Sequence, residues 1–307
     1  MATDGAGAEE NLMLEMYTPV RPPDREELLV RGLRHHLTIW PGTDPEPVFL
    51  LHGWMDTGDT FQFLVDEMSP RWTCIAPDWR GFGRTEWPTD GYWFPDYYAD
   101  LEMLLDQLAP GVRATLIGHS MGGNIATLYA GIRPERVRRV VCIEGFGLPR
   151  TEPAQAPGRY RQWLEQLHQP PELATFPSLE AFAKLLERRN PRLTPQRAAF
   201  IANSWAVQLP DGSVRVRADP AHKRVNPMLY RREEAEACWR EIAAPLLYVI
   251  AEQSEFLKRL GSDGEPDSMA ELIPQLERCV VPDASHMVHH ERPDLLASAI
   301  GEFFSST

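Results

Sequence analysis

The chain of 307 residues is 43% hydrophobic and 24% charged, a composition that excludes disordered and fibrous classes and predicts a globular protein. Its formal net charge of −13 repels phosphate backbones and anionic lipid headgroups, so we expect neither nucleic acid nor a membrane as a partner. The four cysteines form no CxxC pair, which leaves a zinc or redox site without support.

The N-terminal segment is predicted to be a tail. Residues 1–10 have neither the basic start nor the apolar stretch of a signal peptide, so we expect a cytoplasmic protein. Residues 1–26 show little periodicity and contain several prolines, which is typical of a strap on the surface. Residues 28–30 and 36–40 then flank Gly32, a pattern that predicts an antiparallel hairpin.

From residue 48 onward, short apolar runs alternate with segments of helical spacing. Continuous apolar runs are typical of strands buried on both faces, and their alternation with helices predicts a parallel α/β sheet. The predicted strands are residues 48–51, 72–76, 114–117 and 137–143, and the predicted helices are residues 61–68, 97–108 and 122–130.

The pattern loosens after Glu144. Residues 146–244 contain prolines, helical pieces and aromatic side chains, which predict a helical cap inserted into the core. Strand-like runs resume at residues 245–250 and 278–281, and residues 294–304 have the spacing of an amphipathic helix. We therefore predict one core made of residues 27–145 and 245–307, interrupted by the cap.

The sharpest local pattern is Gly118-His119-Ser120-Met121-Gly122, a G-x-S-x-G sequence between a predicted strand and a predicted helix. In such a strand-to-helix turn, the serine backbone is strained and its hydroxyl is lifted clear of the sheet. The sequence therefore predicts that Ser120 is a nucleophile rather than a simple helix cap.

Four stretches together resemble the α/β-hydrolase superfamily, and they occur in the order typical of that family. The resemblance implies a mostly parallel eight-stranded sheet with helices on both faces and covers residues 28–304. The stretches are His52-Gly53-Trp54, the segment from Asp78 to Thr85, the segment from Gly118 to Gly123, and Ser285-His286 followed by Glu291-Arg292-Pro293.

The resemblance also implies an oxyanion hole and a catalytic base. The backbone N–H groups of Trp54 and Met121 are the expected oxyanion donors. His52 and His119 are expected to be structural. His286 is the expected base, because it lies on the loop before the closing helix.

His289 and His290 are the nearest competitors for the role of base. We expect them to enter the helix and to face solvent or pack locally.

The triad acid departs from the commonest family pattern. The usual position after the strand at residues 245–250 holds Ser254, whereas Glu144 ends the preceding strand, 24 residues after the nucleophile. That spacing is similar to haloalkane dehalogenases and zearalenone lactone hydrolases. We therefore expect Glu144 to be the acid, with Glu252 or Glu255 as the alternatives.

The predicted function is hydrolysis of a small or medium hydrophobic carboxylic ester or lactone through an acyl-enzyme, without a metal or organic cofactor. A carbon–carbon bond hydrolase, a cofactor-free perhydrolase and a non-enzymatic receptor are the alternatives. Natural substrate, stereochemistry, oligomeric state and lid motion stay open. Aromatic candidates for the pocket lining are Trp93, Phe94, Phe146, Trp163 and Trp205.

Overall fold

An eight-stranded sheet forms the centre of the molecule in the computed structural model, which describes residues 14–307. A second, three-stranded sheet lies within the insertion. The strands are β1 Asp24–Val30, β2 Leu33–Trp40, β3 Val48–Leu51, β4 Cys74–Pro77, β5 Ala114–His119, β6 Val137–Ile143, β7 Thr175–Phe176, β8 Ala206–Gln208, β9 Val214–Val216, β10 Leu246–Ala251 and β11 Leu276–Val281.

The order in the large sheet is β1-β2-β4-β3-β5-β6-β10-β11. Only the pairings of β2 with β1 and with β4 are antiparallel among these strands, and the other five pairings are parallel. The predicted α/β fold class, with its N-terminal hairpin and mostly parallel eight-stranded sheet, is confirmed.

Helices occupy both faces of the large sheet. None of the helices in residues 14–307 has the length and apolar character needed to cross a membrane. The α-helices are α1 Gln62–Glu67, α2 Pro95–Leu108, α3 Met121–Ile132, α4 Ala156–His168, α5 Leu179–Arg189, α6 Pro195–Trp205, α7 Arg232–Arg240, α8 Glu255–Leu260, α9 Pro266–Leu272, α10 Val288–Glu291 and α11 Pro293–Ser306.

Two hydrophobic cores lie on opposite faces of the sheet. Successive strand residues point to opposite faces, so Leu116 packs in one core and the next residue of β5, Ile117, packs in the other. The first core contains side chains of α2, α3 and α7, and the second contains those of α1 and α11. The central strands are therefore covered from both sides, as their unbroken apolar runs predicted.

The insertion between β6 and β10 carries helices α4 to α7 and the small sheet, in the order β7-β9-β8. The sequence analysis did not predict this sheet, because strands of two or three residues are too short to show periodicity. Its residue Val214 packs with Phe182, Ile201 and Phe63 in a third core. Phe63 belongs to α1, so this core attaches the insertion to a helix that covers the large sheet.

The predicted tail falls partly outside the described residues, which begin at residue 14. Within the described part, the Tyr17 hydroxyl donates a hydrogen bond of 2.9 Å to Asp66, and the Arg21 N–H donates one of 2.8 Å to the same carboxylate. Burial raises the pKa of Tyr17 to about 12, with a further contribution from its bond to Asp66. This segment is thus held against α1 before β1 begins at Asp24.

Helices α3 and α7 approach closely at Gly131. A Cβ at this position would collide with the carbonyl oxygen of Cys238. We expect Gly131→Ala to destabilise the fold by about 1–3 kcal/mol, because a packed backbone must move apart. Gly301 in α11 is the matched control, since a Cβ there meets nothing within 4 Å and alanine favours a helix by about 0.5–1 kcal/mol. Urea unfolding measures both, and equal stability changes would contradict the packing argument.

The partly buried ring of His222 links the insertion to the segment that follows β4. It stacks on Phe82 with 3.7 Å between ring centroids, and its Nε2–H donates to the Arg80 carbonyl at 3.1 Å. Burial lowers the pKa of His222 from 6.5 to about 3. The ring is therefore neutral when folded and takes up a proton on unfolding at intermediate pH.

The folded protein should lose stability as pH falls from about 6.5 toward 3, because the unfolded state binds the extra proton. The His222→Gln variant should show a smaller loss between pH 7 and pH 5 than the wild type, measured by urea unfolding at each pH. His168→Gln, at an exposed position in α4, should keep the wild-type loss. An identical loss in wild type and His222→Gln would rule out this titration.

Candidate active site

Ser120 occupies the bend between β5 and α3. Its φ of +52° lies in the left-handed region, which is strained for a residue with a side chain. A Cβ on Gly118 would collide with the backbone at Gly122, and a Cβ on Gly122 would collide with the Leu51 carbonyl. The glycines on both sides of Ser120 therefore permit a turn that holds its hydroxyl beyond the end of the strand.

His286 lies on the loop between β11 and α10, within reach of this hydroxyl. The distance from its Nε2 to the Ser120 Oγ is 3.1 Å, and the distance from its Nδ1 to the Glu144 Oε2 is 3.3 Å. A carboxylate at Nδ1 favours the tautomer with a proton on that nitrogen. Nε2 is then left with a lone pair directed at the serine hydroxyl.

Glu144 follows the last residue of β6 and is completely buried. Its Oε1 accepts a hydrogen bond of 2.8 Å from the Ala251 N–H, and its Oε2 accepts one of 2.5 Å from the Ser254 hydroxyl. With His286, three groups therefore surround this carboxylate, which compensates for removing its charge from water. The role of Ser254 as a donor was not predicted, although its place in the usual acid position was a usable signal.

The two alternative acids lie elsewhere. The carboxylate of Glu252 accepts a hydrogen bond of 3.0 Å from the Asp283 N–H. Glu255 forms an ion pair of 2.5 Å with Lys258, and its side chain is 72% exposed. The structure thus brings Glu144 to the His286 ring and directs the other two candidates to different partners.

The predicted oxyanion donors flank Ser120. Met121 begins α3, and Trp54 belongs to the loop after β3, called here the oxyanion loop and defined as residues 52–57. Within residues 14–307, neither backbone N–H has a hydrogen-bond acceptor. A Cβ on Gly53 would lie 3.2 Å from the Ser120 Cβ, which shows how closely this loop approaches the serine. Both N–H groups are therefore free to bind a ligand oxygen.

His52 has the structural role that was expected. Its Nε2 accepts a 2.9 Å hydrogen bond from the Trp79 N–H, and its Nδ1–H donates one of 2.7 Å to the Gly53 carbonyl. Burial lowers its pKa to about 4, so the ring is neutral and can accept as well as donate. As the first residue of the oxyanion loop, it joins the end of β3 to the segment that follows β4.

His119, His289 and His290 form a buried group behind His286, each 1% exposed or less. His289 and His290 enter short helix α10, as expected, and of the two expected settings the structure shows local packing, because both rings turn into the core. The His119 Nε2–H donates a 2.8 Å hydrogen bond to the carbonyl of His286. Burial, with the nearby imidazoles, holds the pKa of His119 well below its ordinary value.

Asp56 is a member of this region that the sequence analysis missed. Its Oδ1 accepts hydrogen bonds from the Thr57 N–H at 2.8 Å, the Thr60 hydroxyl at 2.7 Å and the Trp205 indole at 2.7 Å. Burial opposes ionisation of Asp56, but the hydrogen bond and charge of the nearby imidazoles hold its pKa below the ordinary range. The contact with Trp205 ties α6 of the insertion to the oxyanion loop.

The aromatic residues predicted to line the pocket lie in different settings. Trp205 is fixed by Asp56, Phe146 is buried against Tyr248, and Trp93 is 60% exposed. Phe94 packs beside Tyr97, and Trp163 lies partly buried in α4. Phe256 of α8 was not predicted as a lining residue. Its ring centroid lies 5.4 Å from that of His286, so this aromatic side chain is next to the candidate base.

Comparison with known proteins places the chain in a family. A family model described as the alpha/beta hydrolase fold matches residues 46–293. A serine hydrolase-like protein from Danio rerio is 28% identical over 86% of this chain and 83% of its own. A 2-(acetamidomethylene)succinate hydrolase from Mesorhizobium japonicum is 31% identical over 86% of this chain and 90% of its own.

Solved structures show the same fold. A hypothetical protein from Pseudomonas aeruginosa PAO1 superposes with a TM-score of 0.79 at 24% identity, over 92% of this chain and 98% of that one. The family model spans most of the chain, and the observed sheet order agrees with it. The chain therefore belongs to the alpha/beta hydrolase fold family and is a hydrolase of that fold.

Proposed function

We propose that the protein hydrolyses a small or medium hydrophobic carboxylic ester or lactone through an acyl-enzyme on Ser120. The observation that carries the proposal is the continuous contact from the Ser120 Oγ to His286 Nε2, at 3.1 Å, and from His286 Nδ1 to Glu144, at 3.3 Å. A serine hydroxyl becomes a useful nucleophile only when a positioned base removes its proton.

In the first half-reaction, the Ser120 Oγ attacks the substrate carbonyl carbon and its proton passes to His286 Nε2. The Trp54 and Met121 N–H groups stabilise the oxyanion, where each such donor typically contributes about 3–4 kcal/mol. Collapse of the tetrahedral intermediate breaks the bond to the alcohol oxygen, which takes the proton from Nε2. Water then attacks the acyl-enzyme with His286 as base, releasing the acid and restoring Ser120.

Glu144 fixes the ring of His286 and stabilises the imidazolium that forms in both steps. Its complete burial and its bonds to Ala251 and Ser254 leave few other orientations for the carboxylate. A buried carboxylate interacts more strongly with a developing imidazolium than an exposed one, because water screens it less. Glu144 is therefore our proposed triad acid.

Apolar surroundings support a hydrophobic substrate. Trp54, which follows Gly53 on the loop that approaches Ser120, is 53% exposed, and the ring of Phe256 lies beside that of His286. Residues 146–244 act as the cap in this proposal, because Trp205 and Ser204 of α6 hydrogen-bond to Asp56 and Thr57 of the oxyanion loop. Such a roof over apolar side chains favours ligands that bury hydrocarbon.

A second candidate substrate is a carboxylate-bearing amide. It is favoured by the 31% identity with the 2-(acetamidomethylene)succinate hydrolase, whose named substrate carries an acetamido group and two carboxylates. The same attack by Ser120, on the amide carbonyl, would cleave the C–N bond of the acetamido group. A substrate panel must therefore include this compound beside neutral esters and lactones.

Ser120→Ala should abolish labelling by a fluorophosphonate and lower turnover of p-nitrophenyl esters by about a thousandfold or more, because the nucleophile is lost. The panel consists of esters of graded chain length, several lactones and 2-(acetamidomethylene)succinate. Ser298→Ala, at an exposed position in α11, should keep both activities. Undiminished labelling of Ser120→Ala would contradict the proposed nucleophile, and wild-type turnover of the amide alone would replace the ester proposal.

Glu144→Gln should lower kcat by about a hundredfold to ten-thousandfold, because an amide cannot hold the required tautomer of His286. Glu255→Gln is the control, and its exposed position predicts near wild-type kcat. Steady-state kinetics on the best ester measure both variants.

The opposite result, in which only Glu255→Gln collapses turnover, would show that the acid assignment is wrong. A further arm adds Ser254→Asp to Glu144→Gln. The Ser254 hydroxyl contacts the Glu144 Oε2, which is the oxygen that faces His286 Nδ1. An aspartate carboxylate at position 254 should therefore restore part of the lost kcat.

A further inference from the structure

A buried group of potential metal ligands lies behind the candidate triad and takes no part in the proposed reaction. Asp56, His119 and His289 each offer one ligand atom, and these atoms lie within 4.8 Å of one another. All three residues are 2% exposed or less. They come from three separate segments, the oxyanion loop, the bend at Ser120 and helix α10, so only the folded chain brings them together.

The carboxylate of Asp56 is oriented by its surroundings. Its Oδ1 is occupied by the N–H of Thr57, the hydroxyl of Thr60 and the indole of Trp205. Its Oδ2 accepts a hydrogen bond of 3.3 Å from the His289 Nε2–H and lies 3.9 Å from the His290 Nε2. One oxygen is therefore fixed by the protein, while the other is directed into the histidine group.

His119 presents an unshared lone pair to the same place. Its Nε2–H donates to the His286 carbonyl, and an imidazole that carries its single proton on Nε2 has a lone pair on Nδ1. Within residues 14–307, neither the His119 Nδ1 nor the His289 Nδ1 has a hydrogen-bond partner, and the same holds for the His290 Nε2. Buried polar atoms without partners are costly, so such a group favours an additional ligand.

We propose that Asp56, His119 and His289 bind a divalent transition-metal ion of the zinc class, with His290 as a further ligand. Imidazole and carboxylate groups are ligands typical of Zn²⁺. The hydrogen bonds on the far side of His119 and Asp56 are of the kind that orient metal ligands. Zinc bonds of about 2.0–2.2 Å require the ligand atoms to move closer together than they lie here.

The ion would join the oxyanion loop, the bend at Ser120 and α10 without occupying the Ser120–His286–Glu144 contacts. The inference goes beyond the proposed function and does not depend on it, because the test measures metal binding rather than turnover. The rival occupant of the space is a water molecule bound to the same nitrogen atoms.

The test is a titration of the chelator-treated, dialysed full chain with Co²⁺, both after folding and during refolding. We expect the visible absorption of four-coordinate Co²⁺ at one ion per chain, its displacement by Zn²⁺, and a Tm that rises with metal concentration. His289→Gln and Asp56→Asn should weaken binding at least tenfold. Gly53→Ala tests the site without removing a ligand, because its Cβ would lie 3.0 Å from the His119 Nδ1 and should obstruct it.

Two controls separate this site from others. His286→Gln should retain the Co²⁺ absorption, which excludes binding at the triad, and His168→Gln should retain it, which excludes a surface histidine. Absence of absorption and of a Tm rise in the wild type under both loading conditions would overturn the proposal in favour of water. Wild-type binding by His289→Gln, Asp56→Asn and Gly53→Ala, or its loss in either control, would also overturn it.

Discussion

The parallel pairing of β5 with β6 is the constraint on which the site depends. In this register His119 lies opposite Ile143, so the next residues, Ser120 and Glu144, leave the sheet side by side. Both have left-handed backbone, with φ of +52° and +54°. The Ser120 N–H also donates to the Ile143 carbonyl at 2.8 Å, which continues the pairing up to the bend. Strand pairing thus offsets the conformational cost of two strained residues. It also sets the distance between the side chains of Ser120 and Glu144, which the ring of His286 bridges.

The next strand, β10, determines the surroundings of Glu144, the proposed triad acid. Its pairing with β6 brings the Ala251 N–H to one oxygen of Glu144, and the following turn brings the Ser254 hydroxyl to the other. A serine at this position supports a neighbouring carboxylate without adding a second negative charge. An aspartate there would place two carboxylates in one buried space, where like charges oppose ionisation.

Behind the contacts of Ser120, His286 and Glu144, polar groups as well as apolar packing join the loops of the candidate site. The hydrogen bond from His119 to the His286 carbonyl links the bend at Ser120 to the loop that carries His286, and Asp56 links residues 52–57 to Trp205 of the insertion. Both contacts are partly buried, so breaking either one removes a hydrogen bond that water replaces only in part. The loops of the candidate site and the insertion are therefore linked by hydrogen bonds as well as by packing.

Local patterns in the sequence were sufficient for much of the architecture and for the candidate nucleophile. Apolar runs identified the central strands because both faces of each are buried, and the glycines around Ser120 identified the bend because only they fit its backbone. The choice of His286 and Glu144 came from family spacing, and the structure places both beside Ser120.

Other features were decided by tertiary structure alone. The strands of the small sheet are too short for a periodic signal, and the partners of Ser254, Asp56 and His119 lie far away in sequence. The burial of His289 and His290 depends on the direction in which a four-residue helix turns toward the core. Sequence periodicity reports which residues prefer to be buried, whereas contacts between distant polar groups exist only once the folded chain has placed them together.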